Sequence, residues 1–196
     1  RHIRTLAELN AVTYGDNIIA DLNAGINITD TLEQILISTD GRIDKFDTIA
    51  GGMMTDYVRS IQVAPGGIVT DIYPAEGNEA GKIDLIHDKY RGETVNYSIA
   101  NDVLIIHGPF ELEQGGHVLS IRNPVFLQDE KGTPYFWGMT MVIIKVPDIF
   151  QHSANALTNF GYQYRLSKTI SPLTDEYTVV DQSEETLMDP VSYDFT

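Results

Sequence analysis

The chain of 196 residues contains no cysteine, which excludes disulfide frameworks, thiolate zinc sites and cysteine nucleophiles. No apolar run approaches the roughly 20 residues that a membrane-spanning helix needs. The five histidines show no recognised ligand spacing, and neither a GxSxG serine elbow nor a glycine-rich phosphate loop occurs. We therefore expect a protein that is not an enzyme, with no catalytic residue, metal site or cofactor.

Basic residues are also scarce: 13 Lys and Arg stand against 28 Asp and Glu, giving a formal net charge of -15. Binding to nucleic acid or to an anionic lipid surface needs clustered basic residues, so we expect neither partner. The apolar fraction of 42% supplies a real core. The length fits one large domain or two packed subdomains.

Helical periodicity dominates the first third of the chain. The first apolar stripe consists of Ile3, Leu6, Leu9 and Val12. The stripe shifts at Gly15, and the capping-box spacing of Asp30 and Glu33 predicts that a second helix begins there. Apolar residues at helical spacing between 46 and 57 predict a third helix.

The remainder indicates strands. Helices are predicted at Asp88–Ala100 and from Pro147 to Leu157, and turns at Pro65-Gly66-Gly67 and Glu76-Gly77-Asn78. The unbroken apolar run Met139–Ile144 is typical of a central strand covered on both faces. The predicted strands are Ser60–Ala64, Ile68–Tyr73, Val103–His107, Val118–Phe126, Gly138–Val146, Tyr162–Leu166 and Tyr177–Val180. The order predicts an α+β fold, with helices first and then a mostly antiparallel sheet.

One segment, His107–Gly116, concentrates polar groups and glycines between two apolar strands. Glycines let the backbone approach a ligand and polar groups orient it, although such a loop can equally be a plain hairpin connection. Glu111 and Glu113 could serve as a glycosidase pair, but nothing in the sequence makes any two carboxylates face each other. A metal site at His87, His107 and His117 is a weaker alternative than surface histidines.

An ordered set of short motifs resembles the CHASE family, the extracellular sensory domain associated with cyclases and histidine kinases. The resemblance covers residues 60–146 most closely, and the tail after Gly161 resembles the extension of bacterial members. The motifs are Ala64–Val69, Tyr73-Pro74, Gly77-Asn78, Gly81–Leu85, Gly108-Pro109, Gln114–Gly116, Arg122–Phe126 and Phe136–Gly138.

The resemblance implies long N-terminal stalk helices followed by PAS-like antiparallel sheet subdomains, outside the cytoplasm and between two membrane helices. It divides the chain into helical stalk (1–58), membrane-distal ligand-binding subdomain (59–146) and membrane-proximal portion (147–196). It also implies a transmembrane receptor with a histidine kinase or diguanylate cyclase output. Because the chain begins with Arg1 inside a predicted helix, we expect flanking segments that carry the membrane anchor.

The predicted site lies where the resemblance and the strand pattern agree, at His107. Alternation places Val103 and Ile105 on the face of His107, and the Asp88–Ala100 helix would cover that face. The predicted ligand-binding residues are Tyr90, Thr94, Tyr97, Val103, Ile105, His107, Glu111 and Gln114. We expect a small-molecule ligand and a homodimer formed through the N-terminal helix; a dimerisation or protein-interaction module without a ligand is the alternative.

Overall fold

The computed structural model describes residues 2–75, 81, 83–184 and 186–196, and its longest element is the N-terminal helix α1 (His2–Ser38). The prediction that a second helix begins at Asp30 is wrong, because α1 continues through it. One buried stripe, including Ile28, Leu32 and Leu36, runs along the helix on both sides of Asp30. Packing of that stripe on the sheet outweighs the local capping signal.

A five-stranded antiparallel sheet follows the short helix α2 (Phe46–Met53), in the spatial order β2-β1-β5-β4-β3. Its strands are β1 (Val58–Pro65), β2 (Asp71–Tyr73), β3 (Ile105–Glu111), β4 (His117–Gln128) and β5 (Pro134–Val146). Strand β5 lies between β1 and β4, which confirms Met139–Ile144 as a central strand. The PAS-like α+β prediction is thereby confirmed.

The two faces of the sheet are covered by different helices. On one face Ile61, Ile121 and Ile144 join the core formed with Leu32 of α1. The other face carries Met139 and Met141, which pack with Val95 of helix α3 (Gly92–Asn101). We call these the α1 face and the α3 face.

Helix α3 begins four residues later than predicted, and the chain before it forms a turn. The carboxylate oxygen Oδ1 of Asp88 accepts hydrogen bonds from the backbone N–H groups of Tyr90 (2.9 Å) and Arg91 (2.8 Å). An aspartate that binds its own following backbone in this way favours a turn over a helix. Of the two predicted turns, Pro65-Gly66-Gly67 is present, with φ of 61° and 88° at its glycines. The one at 76–78 lies outside the described residues.

The C-terminal part comprises a 3-10 turn (Asp148–Phe150), helix α4 (Gln151–Asn159) and a hairpin of β6 (Arg165–Thr169) and β7 (Tyr177–Gln182). Strand β6 begins three residues after the predicted start. The hairpin borders the edge strand β3, where the Gly108 N–H donates to the carbonyl of Ile170 at 2.9 Å. The sheet thus spans the predicted ligand-binding subdomain, while its membrane-distal placement stays a prediction.

Within the described ranges, the structure has no helix both long enough and apolar enough to cross a lipid bilayer.

Candidate functional site

A row of polar side chains is buried on the α3 face of the sheet. Strand β4 contributes Ser120 and Arg122, and strand register places His107 of β3 opposite Ser120. Alternate residues of a strand share a face, so these three lie together. The row continues across the sheet, and Thr94 and Ser98 of α3 are also buried. The buried polar residues of this face in β1 are Ser60 and Gln62.

Unpaired hydrogen-bonding atoms distinguish this face from the other. On the α1 face, buried polar groups have protein partners: Asn123 Nδ2 donates to Glu33 at 2.8 Å, and Thr140 Oγ1 donates to a backbone carbonyl at 3.1 Å. On the α3 face, Ser120 Oγ and Arg122 Nε are buried without a hydrogen-bond partner among the described residues. Such atoms are costly in a protein interior, and here two occur two residues apart on one strand.

Arg122 and His107 form the centre of the cluster, with Arg122 Nη1 at 2.8 Å from His107 Nδ1. A guanidinium only donates hydrogen bonds, so Nδ1 must be the acceptor and the neutral ring carries its proton on Nε2. Burial, together with the positive charges of Arg122, Lys168 and Arg91, lowers the pKa of His107 to about 4. His107 is therefore neutral at pH 7.

The surroundings of Arg122 are predominantly cationic. Burial, and then repulsion from Arg91, lowers the pKa of Arg122 to about 10, against the opposing effect of the Asp88 carboxylate. Arg122 thus keeps its charge at pH 7 while only 3% exposed. Asp88 is itself engaged by Arg91, whose Nη1 lies 2.8 Å from Oδ2. Positive charge is in excess here, although the whole chain is strongly acidic.

Lys168 of β6 fixes the C-terminal hairpin beside this cluster. Its Nζ donates to the carbonyls of Ile106 (3.2 Å) and Gly108 (2.8 Å), the two residues that flank His107. The same ammonium also contacts the carbonyls of Thr169 and Ile170 on the hairpin. Burial lowers the pKa of Lys168 to about 8.

Two solved structures share this architecture. An extracellular ligand-binding receptor from Desulfohalobium retbaense DSM5692 superposes with a TM-score of 0.62 at 15% identity, over 82% of this chain and 29% of that chain. The ligand-binding domain of the amino-acid chemoreceptor PctC of Pseudomonas aeruginosa PAO1, in complex with GABA, gives a TM-score of 0.54 at 19% identity, over 85% and 69%. The likeness shows a PAS-like α+β fold. The chain spans less than a third of the length of the first of these structures.

Sequence comparison adds no family assignment, because no family model and no curated protein matches the chain.

Of the predicted site residues, Ile105 and His107 lie on the α3 face of β3, and Thr94 is buried in helix α3. Tyr90 is 80% exposed because it lies in the turn before α3. The other predicted site residues also lie at the surface, and their role in ligand binding stays a prediction. Those are Tyr97, Val103, Glu111 and Gln114. Gln114 Oε1 accepts a hydrogen bond from Arg59 Nη2 at 3.1 Å.

Sequence reasoning missed Ser120 and Arg122 as site residues. Both lie in the predicted strand Val118–Phe126, where they alternate with Leu119 and Ile121. A polar residue at every second position marks one face of a strand as chemically distinct, and this signal was available from the sequence.

Two cavities lie away from the α3 face. One of about 70 Å³ borders Leu36 and Trp137, and another of about 250 Å³ lies between Tyr57 and Gln151. Neither contains unpaired buried polar atoms of the kind found on the α3 face. No cluster of acidic and histidine side chains suited to a metal ion occurs in the part of the chain that the structure describes.

Proposed function

We propose that this chain is the extracytoplasmic small-ligand sensor domain of a transmembrane signalling receptor, similar to the CHASE family. The supporting observation is the pair of unpaired buried polar atoms, Ser120 Oγ and Arg122 Nε, on the α3 face. A ligand bound there would supply the missing partners. The chemoreceptor domain with the similar fold binds GABA, a small molecule, which favours the same class of function here.

The proposed receptor places the chain outside the cytoplasm, anchored by flanking membrane segments. Its domains follow the predicted division at 1–58, 59–146 and 147–196, with the sheet far from the membrane. Ligand binding would control a cytoplasmic histidine kinase or diguanylate cyclase. The chain acts in this proposal by binding, without turnover.

Ligand binding is tested by thermal denaturation of the purified chain against a library of small metabolites of every charge class. A ligand at a hundredfold excess over its Kd stabilises the fold by about 2.7 kcal/mol. For a chain of this size that corresponds to roughly 5–10 °C in Tm. The loss of a buried polar contact in His107→Ala should lower the affinity of the compound that emerges about tenfold to a hundredfold by calorimetry.

The matched control is His117→Ala, which removes an exposed histidine from the start of β4 and should bind like the wild type. If no compound of any class shifts Tm, the domain is not a small-ligand sensor, and the interaction-module alternative takes its place.

A specific observation favours dimerisation alongside sensing. Ile3, Leu6 and Leu9 of α1 are 85%, 50% and 62% exposed, although their spacing forms one apolar stripe. Other positions of the same helix contact the C-terminal part, as Arg4 does with Asp189 at 2.9 Å. We propose that a second copy of the chain covers the stripe, because two helices with such stripes pack against each other.

The double substitution Leu6→Glu with Leu9→Glu should abolish this dimer and the output of the full-length receptor, since it places four carboxylates in the interface. Sedimentation equilibrium and an output assay are the measurements. Asn23→Glu with Asn27→Glu adds the same charge at exposed positions of α1 and should change neither. Unchanged output in the leucine variant would remove α1 from the signalling interface.

A further inference from the structure

We propose that the ligand of the α3 face carries a carboxylate, which binds the Nε edge of the Arg122 guanidinium and the Ser120 hydroxyl. This inference rests on the proposed sensor function and names the chemical class of its ligand. It starts from one anomaly: Arg122 is almost completely buried, yet no described carboxylate forms an ion pair with it. A buried charge without a counterion is strongly unfavourable, so proteins pair such charges or bind an ion there.

The hydrogen-bonding pattern of Arg122 leaves one particular edge for a ligand. Nη1 donates to His107, which orients the guanidinium plane. Nε, on the opposite edge together with Nη2, has a hydrogen without an acceptor in the described protein. The parallel N–H groups of that edge match the two oxygens of a carboxylate, a fit that a single-point cation cannot make.

The neighbouring polar groups complete an acceptor-binding site. Ser120 precedes Arg122 by two residues on the same face, and its unpaired hydroxyl can donate to a carboxylate oxygen. His107 is held with its Nε2–H as a donor, because Nδ1 accepts from Arg122. Three different side chains therefore present donors, which suits an acceptor-rich ligand better than a cationic one.

The charges around the site favour an anion as well. Arg91 and Lys168 add positive charge near Arg122 and His107. Among the described residues, the carboxylate that acts on Arg122 is that of Asp88, which is occupied by Arg91. The whole chain has a net charge of -15, so this local excess of cations contrasts with the chain as a whole.

Apolar neighbours limit what else the ligand can be. Ile105 and Met141 lie opposite Arg122 on the adjacent strands, and both are buried on the same face. Val95 of α3 is also fully buried. A compact carboxylate with a short hydrocarbon body satisfies both the guanidinium and these side chains, and a multiply charged phosphate does not.

The test compares acetate, propionate and butyrate with their primary amides, and with inorganic phosphate and sulfate, by calorimetry on the full chain. The amides keep the shape of the carboxylates but lose the charge. We expect saturable binding of at least one carboxylate, and binding of its amide at least 100-fold weaker. Arg122→Met should weaken carboxylate binding about 100-fold, as expected when one partner of an enclosed charge pair is removed.

Stability separates a binding role from a structural one. If the site serves a ligand, Ser120→Ala should unfold without ligand at the same Tm as the wild type or higher, because it removes an unpaired buried atom. Ser120→Ala should still bind the carboxylate several-fold more weakly. Ser153→Ala is the control: its hydroxyl is bonded to Asp21 at 2.9 Å, so the substitution should lower Tm and leave binding unchanged.

The outcomes are distinguishable. A library ligand that is uncharged, and whose affinity survives Arg122→Met, overturns the carboxylate assignment and leaves the sensor function standing. Phosphate or sulfate binding more tightly than every carboxylate also overturns it. A chain that binds no small molecule of any class overturns both. If Arg122→Met fails to fold, the alternative is Arg122→Lys, which keeps the positive charge but lacks the paired N–H groups of a guanidinium. This variant should fold and lose most of the carboxylate affinity.

Discussion

Acidification from pH 7 to pH 4 should cost the folded protein on the order of 3 kcal/mol through His107 alone. The pKa of this histidine is about 4 in the fold, against an ordinary value of 6.5. Between those values the unfolded chain binds a proton that the folded chain excludes. Stability therefore falls as the pH drops below 6.5, and the loss from this group is complete near pH 4. The protonated ring could no longer accept from Arg122.

Urea unfolding of the wild type and of His107→Gln across pH 4 to 8 measures this contribution. Glutamine can still accept a hydrogen bond from Arg122 but does not titrate. The variant should therefore lose about 3 kcal/mol less unfolding free energy than the wild type between pH 7 and pH 4. The charged groups that act on His107 are Arg122 of β4, Lys168 of β6, and Arg91 before α3. His152→Gln, at an exposed histidine of α4, should follow the wild type. Parallel curves for wild type and His107→Gln would contradict the prediction.

Gly138→Ala should destabilise the fold by about 3 kcal/mol or more, because the added methyl group has no space. A Cβ at this position would lie 2.3 Å from the carbonyl oxygen of Ala64 and 2.8 Å from Cα of Pro65. Both are backbone atoms of β1, the strand paired with β5, so relief requires the two strands to separate locally. Thermal unfolding should show a Tm lower by roughly 6–12 °C.

Gly52→Ala is the matched control. No atom lies within 4 Å of a Cβ built at Gly52, which is in helix α2. Alanine should stabilise this helix by about 0.5–1 kcal/mol, since glycine loses more backbone entropy there. If Gly138→Ala unfolds like the wild type, β1 and β5 are not held as closely as the structure places them.

Much of the fold could be predicted from local patterns, because single strands carry their burial in their residue order. The run Met139–Ile144 is apolar at every position, and it lies in β5 with neighbours on both sides. The boundaries of α1 and α3 could not be predicted from the same patterns. At Asp30 the capping signal predicts a helix start, but packing of α1 on the sheet keeps the helix continuous. At Asp88 the periodicity predicts the first residue of a helix, but the side chain of Asp88 forms a turn and α3 begins only at Gly92.

The candidate site was predictable only in part. His107 stood out because it ends an apolar strand before a glycine-rich segment. Arg122 lies within one of the motifs that resemble the CHASE family, yet one sequence does not say whether its neighbours satisfy its hydrogen bonds. The answer depends on how β3, β4 and β6 come together, and contacts such as that of Lys168 with Ile106 join residues 62 positions apart in the chain. Tyr90 is an example of a wrong assignment from local pattern. Helical spacing placed it on the helix face that covers His107, but it lies in the turn formed by Asp88, before α3 begins.

Lys168 gives the site a mechanical connection to the end of the chain. Its ammonium donates hydrogen bonds to β3 on either side of His107 and to the hairpin that leads into the C-terminal segment. A ligand that moves His107 would therefore also move the hairpin, or would break the charge-assisted hydrogen bonds between Lys168 and β3. In the proposed sensor, this one ammonium is the point at which a shift of β3 would be passed to the C-terminal hairpin.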